Sequence, residues 1–203
     1  GVTSIRVTGG EPLVRKGIVE FIGTLASIPG LDDLSITTNG VLLKDYAARL
    51  KEAGLTRVNV SLDSLRRERF LKITRGDNLQ QVLDGLDEAA RVGLSPVKIN
   101  MVVIKGFNED EILDFAALSK AKPYHVRYIE YMPFDTQEGW QKDKCFSARE
   151  MKEMIEAGLG CLEPVVVPSG GSGPAKRFRF KDAPGEVGFI SPVSEHFCNS
   201  CNR

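Results

Sequence analysis

The sequence predicts an α/β protein made of parallel strand–helix–strand units. Three observations carry this. Five short runs rich in β-branched and aromatic residues recur along the first two thirds of the chain. Stretches with apolar residues at helical spacing lie between them. Gly, Pro, Asn and Asp punctuate both kinds of run. Strands alternating with helices imply parallel pairing through crossover helices, and a repeat of ~25–40 residues fits one such unit.

The five strand runs are "SIRVT" from Ser4, "DLSITT" from Asp33, "RVNVSL" from Arg57, "VKINMVVI" from Val97 and "HVRYIEYM" from His125. In the first helical run Ile18, Phe21, Ile22 and Leu25 share a face. "LKDYAARLKEAG" and "NLQQVLDGLDEAARVG" end at Gly54 and Gly93, natural stops after a helix. "NEDEILDFAALSKA" opens with Asn108 and Glu111 at capping-box spacing, as "SAREMKEMIEAG" does with Ser147 and Glu150. After Met132 the rhythm breaks into a polar loop. Beyond the last helix come "CLEPVVVP", "KRFRFK" and "GEVGFIS", which predict a small antiparallel layer. "PSGGSGPA" reads as a surface loop. Five parallel strands suit an open sheet or part of a barrel, and are too few to close one. A division into 1–134 and 135–203 follows from the change of rhythm.

Composition excludes several classes. The 203 residues can bury a sizeable core, with 42% apolar and 27% charged residues. The 27 basic and 27 acidic residues cancel, so no global field draws the chain to nucleic acid or membrane. No apolar run reaches the ~18–20 residues of a membrane span. Four cysteines are few for a disulfide scaffold. Cys145 and Cys161 read as unpaired thiols, and a reducing, cytoplasmic setting follows. The start at "GVTSIRVTGG" and the end at "FCNSCNR" both read as cuts through a longer protein.

Ligands of parallel α/β folds bind beyond the carboxyl ends of the strands. There the sequence has "TGGEP" at Thr8–Pro12, "TTNG" at Thr37–Gly40, "SLDS" at Ser61–Ser64 and "EYMPF" at Glu130–Phe134, with Lys98 and Asn100 on the fourth strand. Small polar residues also cap helices and make turns; their recurrence at successive strand ends favours a polar pocket. In GGEP two glycines permit close backbone approach to a ligand, and Pro12 ends the strand. Arg6, Lys98 and Arg127 fall within strands. Pointing inward, they call for an anion such as phosphate; the alternative is that they face outward or snorkel. Cys198 and Cys201, with His196 nearby, form a CxxC pair. It suits part of a zinc site, an iron–sulfur cluster, or a redox pair.

"IRVTGGEPLVR", "ITTNG", "VNVSLDS", "VKINMVVIKGFNEDEI", "RYIEYMPF" and "FCNSCNR" together resemble the GTP 3′,8-cyclase family (molybdenum cofactor biosynthesis protein A), one of the radical S-adenosylmethionine enzymes. The resemblance runs over essentially the whole chain. It implies an incomplete parallel (β/α)6 barrel, its first βα unit missing here, with a small C-terminal α+β layer covering the mouth. It implies two [4Fe–4S] clusters. One sits on a CxxxCxxC loop and cleaves S-adenosylmethionine; the other is held by three C-terminal cysteines and binds guanine. The implied reaction is the first step of molybdenum cofactor biosynthesis, in the carbon–carbon lyase class. A 5′-deoxyadenosyl radical takes hydrogen from the 3′ carbon of GTP, which then attacks C8.

Residue by residue, the resemblance assigns Gly10, Ser61 and Met132 to S-adenosylmethionine. Arg6, Thr37, Lys98 and Arg203 go to GTP, with Arg127 beside the anion site, and Cys198 and Cys201 to the second cluster. It implies GTP, a homodimer, an electron donor and a downstream cyclic pyranopterin monophosphate synthase as partners. CxxxCxxC and the third C-terminal cysteine are absent from the printed sequence, so no catalytic cysteine is assigned and this chain alone is expected to be inactive. Rival readings are another radical enzyme acting on a phosphorylated substrate, a zinc- or nucleotide-binding module, and a phosphosugar barrel enzyme. For the last, no acid–base pair stands at the strand ends.

Overall fold

The computed structural model describes residues 1–132, 144–166 and 173–195. The described residues include eight strands. The chain divides into two compact units, Gly1–Leu62 with Arg66–Ile99, and Asp63–Leu65 with Asn100–Arg203.

The first unit contains β1 (Ser4–Val7), β2 (Asp33–Thr38), β3 (Arg57–Ser61) and the opening of β4 (Val97–Val103). Its helices are α1 (Ile18–Ala26), α2 (Leu43–Glu52), α3 (Arg67–Thr74) and α4 (Leu79–Arg91). β1 pairs parallel with β2, and β2 with β3. Because side chains alternate across a strand, the register sorts residues onto two faces. Leu34, Ile36, Val58 and Val60 share one face and are fully or almost fully buried, as are Ile22, Leu43, Ala47, Leu50, Val82, Leu86 and Ala89 on the helices. The other face carries Arg6, Ser35, Thr37, Arg57, Asn59 and Ser61. One sheet thus has an apolar side for helices and a polar side for something else. At Gly85 a Cβ would lie 3.0 Å from the Gly40 carbonyl oxygen and 3.0 Å from Leu43 Cβ, so α4 meets the start of α2 through backbone.

The second unit continues β4 and adds α5 (Ile112–Ala121), β5 (Tyr124–Glu130), α6 (Ala148–Leu159), β6 (Leu162–Pro164), β7 (Lys176–Phe180) and β8 (Glu186–Ile190). The last three strands pair antiparallel, as the sequence predicts. β8 also pairs parallel with β5, so this layer extends the sheet rather than standing apart from it. Tyr128 stacks on Phe189 at 5.7 Å and donates its hydroxyl to the Ile112 carbonyl at 2.7 Å.

Strand positions follow the sequence reading closely, and two details depart from it. Helix α3 was not anticipated: "RERFLKIT" is mostly charged and Phe70 is its one buried residue, so no apolar stripe marks it. The capping box forms at Ser147 and Glu150 but not at Asn108 and Glu111. Asn108 Oδ1 instead accepts from Ile104 N at 2.8 Å, and Glu111 turns to Ser64. Tertiary partners outcompete the local cap.

Candidate active site

On the polar face of the first unit, charge is concentrated at the entry ends of the strands. Asp33 opens β2 and accepts from Arg57 Nε at 2.7 Å and from Ser4 Oγ at 2.8 Å. Burial alone would raise the Asp33 carboxyl. The hydrogen bonds from Arg57, Ser4 and Thr56, with the Arg57 charge, outweigh it and hold the group below the usual carboxylate range. Asn59 follows, fully buried, with Nδ2 donating to the Ile36 carbonyl at 3.2 Å and Oδ1 without a partner.

The exit ends are built differently. The turn after β1 places Gly9 and Gly10 at the surface, with nothing within 4 Å of where a Cβ would stand. Glu11 caps the short helical turn Pro12–Val14 by accepting from Leu13 N at 3.0 Å. The same carboxylate accepts from Thr38 Oγ1 at 2.7 Å and from Asn39 N at 2.6 Å. Thr38 Oγ1 in turn accepts from Gly40 N at 3.1 Å, and Asn39 Oδ1 from Val41 N at 3.0 Å. Beside these turns lies a cavity of about 130 Å³ lined by Asn39, Val41, Ser61, Phe70, Thr74, Gly76 and Asn78. That is room for part of a ligand, since whole drug-sized ligands fill about 300–1,000 Å³.

Each site residue read from the sequence can be located or set aside. In the first unit Arg6 lies half-buried on β1, Thr37 half-buried on β2, Ser61 exposed at the end of β3, and Lys98 buried on β4. The register brings Arg6, Thr37 and Ser61 to one face. In the second unit Arg127 is buried on β5, and Met132 is half-buried just beyond it. His196, Cys198, Cys201 and Arg203 lie outside the described residues, as does Phe134. Cys145 is half-buried, its thiol pushed up by burial and by the charges of Glu130 and Glu150; Cys161 is exposed. Among the described residues no group of three or more His, Cys, Asp or Glu could hold a metal ion.

The second unit repeats the division of labour. Glu186 opens β8 and takes Arg177 Nε at 2.7 Å, Arg179 Nη2 at 2.8 Å and His125 Nδ1 at 3.3 Å. Burial would raise its carboxyl, but the cations around it leave the group below the usual carboxylate range. At the exit end of β5, fully buried Glu130 accepts from Ala148 N at 2.8 Å, Val193 N at 2.9 Å and Ser194 N at 2.9 Å, and from the Ser194 hydroxyl. Glu111 accepts from Ser64 Oγ at 2.7 Å and Leu65 N at 2.6 Å, holding the SLDS turn. Asp63 accepts from Val102 N at 2.8 Å, and burial pushes its carboxyl up.

Sequence reasoning missed these carboxylates. Glu11 and Glu130 stood inside quoted motifs, yet no spacing rule marks a side chain that bonds to a distant loop. The cavity wall from Phe70 to Asn78 was missed with helix α3.

The family model for the radical SAM superfamily matches residues 1–118. The chain belongs to the radical SAM superfamily. The superfamily fold recurs in solved structures. A radical SAM methyltransferase from Sphaerobacter thermophilus matches with a TM-score of 0.61 at 15% identity, over 93% of this chain and 51% of that one. Coproporphyrinogen III oxidase from Escherichia coli matches with a TM-score of 0.54 at 15% identity, over 78% and 40%. A second model, Molybdenum Cofactor Synthesis C, matches residues 124–203. Among curated relatives, a GTP 3′,8-cyclase from Alkaliphilus metalliredigens is 51% identical over all 203 residues, and one from Pelotomaculum thermopropionicum is 53% identical over the same span. The chain spans 62% of the length of each.

Proposed function

We propose that this chain is part of a GTP 3′,8-cyclase, acting on GTP in molybdenum cofactor biosynthesis. The observation that carries the reading is the 51–53% identity to relatives of that name over every residue of this chain. S-adenosylmethionine bound at a reduced [4Fe–4S] cluster would supply the radical chemistry.

The residues present suit such ligands. Gly9 and Gly10 leave open space for a backbone contact to the amino-acid part of S-adenosylmethionine. Ser61 opens on the cavity beside Asn39 and offers a hydroxyl. The orphaned Asn59 oxygen leaves an acceptor on the same face. Gly10 and Ser61 are therefore proposed to hold S-adenosylmethionine, and Met132 by its motif. Arg6, Thr37 and Lys98 are proposed for GTP by the motifs that carry them, with Arg6 and Thr37 on one face of the strands. Arg203 is proposed for GTP, and Cys198 and Cys201 for the second cluster, on sequence alone. The domain boundary at 134/135, a homodimer, an electron donor, a downstream cyclic pyranopterin monophosphate synthase, the lyase class and a cytoplasmic setting belong to the same proposal. Among the described residues no helix is long and apolar enough to cross a membrane.

This chain alone is proposed to be inactive. Anaerobic assay with GTP, S-adenosylmethionine and a reductant tests both statements. A cyclised GTP product is expected from the full-length protein with reconstituted clusters, and none from this chain. Product from the isolated chain would overturn its inactivity. Failure of the full-length protein to bind or convert GTP would overturn the function.

A further inference from the structure

We propose that Glu11 is a positioning residue: its carboxylate locks the turn that carries Gly10 to the turn that follows Thr37. The inference rests on the functional reading above, in which Gly10 meets S-adenosylmethionine and Thr37 meets GTP.

Both oxygens of Glu11 are engaged with protein. Oε1 takes Thr38 Oγ1 at 2.7 Å and Leu13 N at 3.0 Å, and Oε2 takes Asn39 N at 2.6 Å. Two of these donors lie 27 and 28 residues away in sequence. The β1–β2 ladder ends at Val7 and Ile36, so the turns beyond it need another tie. Gly9 and Gly10 make that need acute. They have no Cβ, nothing packs where one would stand, and glycine loses the most backbone freedom on ordering. A charged acceptor next to them, fixed from β2, restricts that freedom before a ligand arrives. Preorganisation of this kind lowers the entropic cost of binding. The Thr38 hydroxyl carries the restraint onward, since it donates to Glu11 and accepts from Gly40 N.

The test uses the full-length protein with both clusters reconstituted, and equilibrium binding of S-adenosylmethionine and of GTP. Glu11→Gln keeps the length of the side chain but aims an NH₂ at a donor, so at least one of the bonds is lost. Its dissociation constant for S-adenosylmethionine is expected to rise roughly ten- to a hundred-fold, and that for GTP by a smaller factor. Thr38→Val, which removes the hydroxyl, is expected to weaken S-adenosylmethionine binding in the same direction, and Thr38→Ser to restore it. The threonine pair decides the matter if Glu11→Gln does not fold. Wild-type affinity in the Gln and Val variants overturns the proposal. So does a lowered melting temperature with unchanged affinity, or equal weakening by Val and Ser. A wild-type protein that binds neither ligand removes the functional reading itself, and this inference with it.

Discussion

Asp33 and Glu186 each open a strand, β2 in the first unit and β8 in the second, and each meets guanidinium charge, Arg57 at Asp33 and Arg177 and Arg179 at Glu186. Glu11 and Glu130 stand at the opposite ends, beyond β1 and at the close of β5, and each gathers backbone N–H groups and a hydroxyl. At these entry ends the carboxylate charge is met by guanidinium charge. At the exit ends a carboxylate is spent on holding loops still. The same residue type fixes electrostatics at one end and geometry at the other.

The largest effect should come from breaking the exit-end arrangement where it is most buried. Glu130→Ala removes the shared acceptor of four part-buried hydrogen bonds, so a loss of about 2–4 kcal/mol in unfolding free energy is expected by urea titration. A loss below ~1 kcal/mol would mean that water replaces the carboxylate, and that the two ends do not differ in kind. A smaller cost belongs to the entry end. Arg57→Leu leaves Asp33 with Ser4 and Thr56 and should cost roughly 1–2 kcal/mol, because Asp33 keeps partial access to water.

The smallest and most discriminating effect is in pH dependence. Asp33 and Glu186 have depressed folded values. Their contribution is fully present above the ordinary values of 3.8 and 4.5, and is lost as pH falls through the lower folded values. Asp63 has a raised folded value, so its sign is reversed: its contribution is present below 3.8 and is lost as pH rises through the folded value. Asp33→Asn should therefore flatten the acid-side loss of stability. Asp63→Asn, which keeps an oxygen for Val102 N, should raise stability slightly toward neutral pH. Unfolding midpoints between about pH 3 and 7 separate the two slopes.

Much of this architecture was legible because alternation and helical spacing are local signals. The run from Asp33 to Thr38 reads as a strand and is one, to the residue. Ser61 and Thr37 stand out in the sequence because strand ends are where parallel folds bind ligands, and Ser61 lines the cavity. What escaped was set by partners far along the chain. Glu111 has the spacing of a capping box, yet its carboxylate bonds to Ser64, 47 residues away. Phe70 stands in the cavity wall from a helix too charged to show a stripe.

The parallel pairing of β8 with β5 has a consequence for how the second unit is assembled. β7 and β8 form a local pair, but β8 reaches β5 only after the whole intervening chain is gathered. The bonds that Val193 and Ser194 make to Glu130 span 63 and 64 residues. Contacts of such separation carry a loop-closure cost that must be met before they contribute, and they slow folding. The exit end of β5, where Met132 follows, is therefore held by contacts that no local stretch of chain can supply.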